Sequence, residues 1–326
     1  MKYNFGIIGC GNIATKFADT LNKLDLPLLG VASRNINKAI EFGKRFNAIN
    51  CYGDYEEMLQ NPEINIIYIA TPHGLHYEHL KLCLKYNKNI ICEKAFTLNH
   101  LEAEEILALA KEKNCLFIVA MWTRFLPGIL KLKEIVESKI YGDIKEIDAE
   151  FCFYGNQDEN YRLQNNNLGG GALLDVGIYP LTLAHLLLGN PLKIEANGSI
   201  SKNNIDLDNF TTLTYKNAVA KLKSSFIYQG NRYSKITLDK AIITLDAFWK
   251  CERMEILDLN TKEITIYDFP FDINGFEKQV ISFIKTLENN EIENKTMQHQ
   301  TTIDMLKIMD EIRKQIGVVY NRIEGQ

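Results

Sequence analysis

The 326-residue chain has no run of lysines and arginines long enough to track a phosphate backbone, and its formal net charge is −4. Nucleic acid is therefore not an expected partner. No stretch approaches the roughly 18 apolar residues of a membrane span, so no membrane is expected either. Internal repeats and low-complexity linkers are absent. The opening "MKYNFGIIGCG" enters a strand-like pattern at once, which leads us to expect no signal peptide. The cysteines do not pair off. There are seven, widely scattered (Cys10, Cys51, Cys83, Cys92, Cys115, Cys152, Cys251), most of them in apolar runs as reduced core thiols are. These absences point to a cytoplasmic protein with free thiols.

What is present is an ordinary globular composition, 46% hydrophobic and 24% charged, in a chain too long for one ordinary core. Two domains are expected. Residues 3 to about 120 alternate short apolar runs ("YNFGIIG", "PLLGVAS", "INIIYIATP", "KNIICEKA", "CLFIVAM") with helical patterns such as "NIATKFADTLNKL" and "HLEAEEILALAKEKN". Strands with few polar positions, separated by helices, indicate a parallel sheet covered on both faces. From about 123 the pattern changes. A helix, "LPGILKLKEIVESK", leads to period-two segments such as "DIKEIDAEFCFY", "FTTLTYK", "VAKLKSSFIY" and "EITIYDF", which read as half-buried antiparallel strands. Two helices end the chain. The expected fold is α/β: an N-terminal Rossmann doubly wound parallel sheet (1–122), then an α+β domain with a large, mostly antiparallel open sheet (123–326). The C-terminal helix is free to pack back on the first domain.

"GIIGCGNIA" spaces Gly9, Gly11 and Ala14 as G-x-G-x-x-A, after a strand and opening a helix. That context is what a dinucleotide fingerprint needs. Gly9 permits the tight turn, Gly11 lets the backbone approach a pyrophosphate, and Ala14 allows close packing of helix on strand. The helix N-terminus offers unpaired N–H groups to the anion. At the end of the second strand an acid would bind the ribose 2′-hydroxyl of NAD. Here "GVASRNINKA" supplies Ser33 and Arg34 instead. An arginine fork suits a phosphate, so NADP is favoured, with NAD the alternative.

In "LGGGALLDVGIYPLTLAHLL" an acid, Asp175, and a phenol, Tyr179, stand four residues apart in an apolar run and would share a helix face. Pro180 cannot donate to the Val176 carbonyl, so the helix is expected to loosen or kink there. The glycines before it are expected to let the backbone enter the helix close to the cofactor domain. His73, His76 and His79 recur at three-residue intervals, but no acid or cysteine in the segment completes a ligand set. No metal is expected.

"GIIGCGNIA", "IYIATPHGLHYEHLKLCL", "NIICEKAFTLN", "AMWTRFLP" and "LGGGALLDVGIYPLTLAHLLLG", in this order, cover nearly the whole chain. They resemble the glucose–fructose oxidoreductase, inositol dehydrogenase and rhizopine-catabolism (Gfo/Idh/MocA) family, and most of all its dimeric dihydrodiol dehydrogenase and NADP-dependent xylose dehydrogenase branch. The resemblance implies that Lys94 and Tyr179 form the catalytic pair, with Asp175 as third member. It implies cofactor contacts at Gly9, Gly11, Asn12, Ile13, Ser33, Arg34, Thr71, Pro72, His73, His76, Glu93 and Lys94. Ala95 stands where the family usually has proline. Trp122 and Arg124, at the exit of the last parallel strand, are expected to meet the substrate with Asp175 and Tyr179. Phe269, Phe271 or Phe276 would close the pocket.

The chemistry agrees with these residue types. Oxidising an alcohol needs a hydride acceptor, which the nicotinamide provides, and a base for the hydroxyl proton. The free tyrosine pKa is about 10, and a nearby cation lowers it. Lys94 can be that cation. Asp175 would have the opposite effect, so it is expected to bind a substrate hydroxyl or to orient Lys94. The expected function is therefore NAD(P)-dependent interconversion of a secondary alcohol, on a sugar, polyol or trans-dihydrodiol, with its carbonyl. The alternatives are a sensor or co-repressor that binds the cofactor without turnover, and an NAD-dependent glycosidase, for which the expected Trp-rich segment after "TP" is absent. A homodimer or homotetramer through the open sheet face is expected.

Overall fold

The computed structural model describes residues 3–156, 158 and 161–321. Its parallel strands are the largely apolar runs: β1 (Phe5–Ile8), β2 (Leu28–Ala32), β4 (Ile66–Ile69), β5 (Asn89–Glu93) and β6 (Phe117–Ala120), with a short edge strand β3 (Asn50–Tyr52). They pair in the order β3-β2-β1-β4-β5-β6, all parallel. This is the doubly wound order of dinucleotide-binding sheets, in which ligands collect at the carboxyl edge where the order reverses. Helices α1 (Asn12–Lys23), α2 (Ile36–Phe46), α3 (Tyr55–Gln60), α4 (His76–Lys85) and α5 (His100–Glu112) form the crossovers. Asn35, Asp54 and Asn99 cap α2, α3 and α5 by accepting from their first-turn N–H groups. Neither β3 nor α3 is expected from the sequence. Three half-buried residues and a six-residue helix are too short for a period to register.

After α6 (Pro127–Glu137) come the long strand β7 (Ile144–Cys152) and helix α7 (Ile178–Leu188). There follow β8 (Lys193–Ile200), β9 (Asp206–Thr214), β10 (Val219–Ser225), β11 (Tyr233–Leu238), β12 (Ala241–Asp246), β13 (Arg253–Asp258) and β14 (Ile264–Asp268). Their order is β14-β13-β12-β11-β7-β10-β9-β8, antiparallel except where β7 pairs with β10. Burial alternates along β10 and β11, as in a sheet with one covered and one open face. α7 packs against β7 and β10. The last helices are α8 (Phe276–Glu288) and α9 (His299–Ile316).

Two compact units result: Met1–Trp122 with Asp272–Ile303, and Thr123–Phe271 with Asp304–Gln326. The segment carrying α8 therefore groups with the first unit, although it lies beyond residue 122. Its ties there are specific. Thr20 Oγ1 donates to Asn274 Oδ1 at 3.0 Å, and Trp122 stacks on Phe276 at 5.1 Å.

One expectation needs correction. The run Asn166–Leu188 is long and apolar enough to cross a membrane by length and composition, although 72% of its most apolar window is buried inside the fold. Its apolar side chains fill a core, and α7 is apolar all round because it is enclosed.

Candidate active site

In the first unit the candidate residues gather at the carboxyl edge of the parallel sheet. Gly9 has φ +98°, and a Cβ there would lie 3.0 Å from the Ala70 carbonyl oxygen. The turn out of β1 therefore requires glycine. Gly11 differs: a Cβ built on it meets nothing within 4 Å. The space in front of it is open, as a cradle for a pyrophosphate must be. Gly11 is the N-cap of α1 without a side-chain cap, and no acid lies in the first turn. The helix start thus keeps free N–H groups for an anion. Asn12 is exposed, Ile13 half-buried, and Ala14 fully buried. These residues fit a dinucleotide.

At the end of β2, Ser33 is half-buried and Arg34 exposed. Two more residues share this corner. Burial pushes the Cys10 thiol up to about 11 and Cys51 adds to the rise, while the Lys38 ammonium and the Ser33 hydroxyl oppose it. Burial also raises the Tyr55 phenol, and its contacts with the Arg34 guanidinium and main chain counter that rise. Lys38 and Tyr55 are missed in the sequence. The signal for Lys38 was available: it sits one helical turn after Arg34, in the first turn of α2.

The loops after β4 and β5 hold the next group. Thr71 and Pro72 are half-buried and His73 buried. His79 Nδ1 lies 2.9 Å from Thr71 Oγ1, and its ring meets Tyr55 edge-on at 4.9 Å. His76 is fully buried, with both ring nitrogens against main-chain carbonyl oxygens. Its ring has no exposed face. Among the described residues no group of three His, Cys, Asp or Glu side chains is placed to hold a metal ion. Glu93 is buried and accepts a hydrogen bond from the Tyr68 hydroxyl. Lys94 is half-buried, and the Lys94–Ala95 peptide is cis. Trp122 is buried against Phe276.

In the second unit the missing donor of Pro180 is absorbed by a π-helical turn, Leu173–Gly177, that runs directly into α7. Asp175 lies within it and Tyr179 just after. Both are 9% exposed. Arg162 Nη2 donates to Asp175 Oδ1 at 3.1 Å, a partner the sequence does not reveal. The Tyr179 ring packs 5.5 Å from Phe151, which itself stacks on Trp249 at 3.8 Å. Arg124 is buried, which lowers its pKa to about 10, and its charge is felt by His185 of α7. Phe269 lies near Gly128, in the second unit.

The glycines before the helix are crowded by their own unit. A Cβ at Gly170 would lie 2.4 Å from the Leu163 carbonyl oxygen. At Gly171, with φ +115°, it would lie 2.2 Å from Asp206 Oδ1. Asp206 is fully buried and caps this helix start from β9, its Oδ2 accepting from the Leu173 N–H at 2.7 Å and from Asn209 Nδ2 at 3.2 Å. Burial raises its pKa to about 6 despite those donors. A folded-state value above the unfolded one means that stability is full below about pH 4 and is lost as pH rises through about 6, by up to about 3 kcal/mol. Asp206→Asn should therefore melt higher than wild type at pH 7.5 and lose that advantage at pH 4. Lower melting at both pH values would contradict this.

Comparison with known proteins places this geometry. Residues 3–121 match the oxidoreductase family with NAD-binding Rossmann fold (GFO_IDH_MocA), and residues 129–244 match the GFO/IDH/MocA C-terminal domain. The chain is 30% identical over 325 residues to scyllo-inositol 2-dehydrogenase (NADP(+)) IolU of Bacillus subtilis, covering 97% of this chain and 98% of that one. It is 29% identical over 335 residues to trans-1,2-dihydrobenzene-1,2-diol dehydrogenase of Xenopus laevis, covering 98% and 100%. Among solved structures, a variant of KijD10, a 3-ketoreductase from Actinomadura kijaniata in complex with TDP-benzene and NADP, superposes with a TM-score of 0.88. Identity is 20%, and 97% of this chain and 98% of that one are covered. At that identity the likeness concerns the fold.

Proposed function

This chain belongs to the GFO/IDH/MocA family of oxidoreductases, and we propose that it interconverts a secondary alcohol of a sugar, polyol or trans-dihydrodiol with its carbonyl, using NADP. The observation that carries the reading is the open cradle at Gly11, at the start of a helix without acids in its first turn, in a chain whose full-length relatives are NADP-dependent and dihydrodiol dehydrogenases.

When bound, the nicotinamide supplies the hydride acceptor or donor. The chain's own residues handle the proton. Tyr179 takes it from the substrate hydroxyl during oxidation and returns it to the carbonyl oxygen during reduction. For this, a phenol with a pKa of about 10 must be brought near 7, about 4 kcal/mol of differential stabilisation. Lys94 contributes to that as a cation. Asp175 binds a substrate hydroxyl. The Arg162 guanidinium holds that carboxylate in place through Oδ1. Ser33, Arg34 and Lys38 hold the 2′-phosphate. Self-association uses the open face of the large sheet, whose edge exposes Ile264 and Ile266. A purely monomeric sedimentation profile would rule that out.

The direct test is reduction of NADP, followed by absorbance, with scyllo-inositol and trans-1,2-dihydrobenzene-1,2-diol. Tight NADP binding without turnover on a wide polyol panel would contradict the proposal. Arg34→Ala should weaken NADP about 10- to 100-fold and NAD hardly at all, since a charge-assisted contact to phosphate is worth about 1.5–3 kcal/mol. Equal losses for the two cofactors would remove the phosphate clamp.

A further inference from the structure

Lys94 lies on a turn that is gripped from both ends. On its far side, His76 Nδ1 lies 3.0 Å from the carbonyl oxygens of both Ala95 and Phe96, and Nε2 lies 2.7 Å from that of Thr71. One ring therefore bridges two loops, those leaving β4 and β5, at the carboxyl edge of the sheet. On its near side, the Glu93 carboxylate accepts from the Tyr68 hydroxyl. Tyr68 is fully buried and stacks on Phe17 of α1, with ring centroids 3.6 Å apart and planes 4° off parallel. A packed path thus runs from the cofactor helix through Phe17, Tyr68 and Glu93 to Lys94. Phe96 is anchored further by Phe117 at 4.6 Å.

The chemistry of the His76 pocket fits a clasp. Carbonyl oxygens only accept, so a ring between them can only donate. Burial holds the imidazole pKa below its usual value, the three carbonyls oppose this, and the Lys94 charge adds to the lowering. A neutral ring donates its one N–H to one loop and turns its other nitrogen's lone pair on the second loop's carbonyl, so it is a hydrogen bond to one loop and packing against the other that hold the two. A buried group so placed serves neither a ligand nor solvent. What it fixes is main chain on each side of the site.

We propose that His76 and Tyr68 are positioning residues for Lys94, holding the Glu93–Phe96 turn so that the ammonium stands where the acid/base requires it. This rests on the reading of Lys94 as partner of Tyr179. It goes beyond that reading by assigning function to two fully buried side chains.

The test compares His76→Gln, Tyr68→Phe and Lys94→Met, singly and combined, in the full chain. Assays use NADP with scyllo-inositol and with trans-1,2-dihydrobenzene-1,2-diol, alongside NADP affinity by calorimetry and hydrogen exchange over residues 92–97. His76→Gln should lower kcat about 10- to 100-fold and Tyr68→Phe about tenfold, with KM and NADP affinity within about threefold, as for loss of transition-state interactions alone. Both should shift the basic limb of the pH–rate profile and quicken exchange over residues 92–97. In the Lys94→Met background neither should lower the residual rate further, because residues acting through one group are not additive. Unchanged kcat and pH profile in both single variants, or losses that persist undiminished without Lys94, would overturn the proposal. Tyr68→Phe removes a single oxygen and decides the matter should His76→Gln not fold. If Lys94→Met keeps full kcat, the catalytic reading itself fails. If Lys94→Met is inactive while the two positioning variants are normal, only the present inference does. Should wild type turn over neither alcohol, unchanged exchange over residues 92–97 in both variants overturns the clasp on its own.

Discussion

Tyr179→Phe is expected to lower kcat about 10³-fold, within the range that general acid–base groups contribute, and to leave NADP affinity unchanged. The substitution removes one oxygen. The ring keeps its packing against Phe151 at 5.5 Å, so the fold should lose no more than about 1 kcal/mol, the worth of one hydrogen bond. The shape of the pH–rate profile is the sharper readout. Proton transfer through a phenol stabilised by a cation produces a limb that Phe cannot produce, so the variant's residual rate should lack it. Phe at this position with unaltered kcat and profile would mean that another group moves the proton.

Gly11→Val is expected to weaken NADP at least about 100-fold while the protein stays folded. The two effects separate because a Cβ at Gly11 meets no protein atom within 4 Å. The added methyls fill only the space in which a pyrophosphate would approach the helix start. Replacing glycine at an N-cap costs at most about 1 kcal/mol of stability. Gly9 is the control. Its φ of +98° and its closeness to the Ala70 carbonyl mean that Gly9→Val should damage folding itself. Calorimetric titration with NADP beside thermal melting checks both. Undiminished NADP binding by a folded Gly11→Val protein would remove the cradle from this account.

The parts of this fold written in local sequence were legible. β1, the glycine turn and α1 follow from apolar runs, two glycines and a helical period lying within a few residues of one another, and a parallel sheet follows from the alternation of strands and helices. Asp175, Tyr179 and the break at Pro180 were legible for the same reason: spacing along one helix and one missing N–H. What stayed hidden depends on distant partners. Arg162 comes to Asp175 from a preceding loop, and Asp206 caps the same helix from 33 residues downstream of Leu173. Neither bond has a spacing that could announce it. His76 was visible as a residue but not in its role. Three histidines at regular intervals suggest a ligand. Only the return of β5 beside β4 brings the Ala95 and Phe96 carbonyls to its ring. Gly170 and Gly171 show the same limit: the glycines are plain in sequence, while the groups that crowd them, Leu163 and Asp206, are known only from the fold.

The central claim is hydride transfer between a substrate carbon and a nicotinamide, with this chain's residues managing the proton. The most direct measurement uses scyllo-inositol deuterated at its ring carbons with unlabelled NADP, and mass spectrometry of the reduced cofactor. Reduced cofactor carrying one deuterium is expected from wild type, with its formation nearly abolished in Tyr179→Phe. A reduced cofactor free of deuterium, or NADP bound and left unreduced by this and every other polyol or dihydrodiol offered, would contradict it.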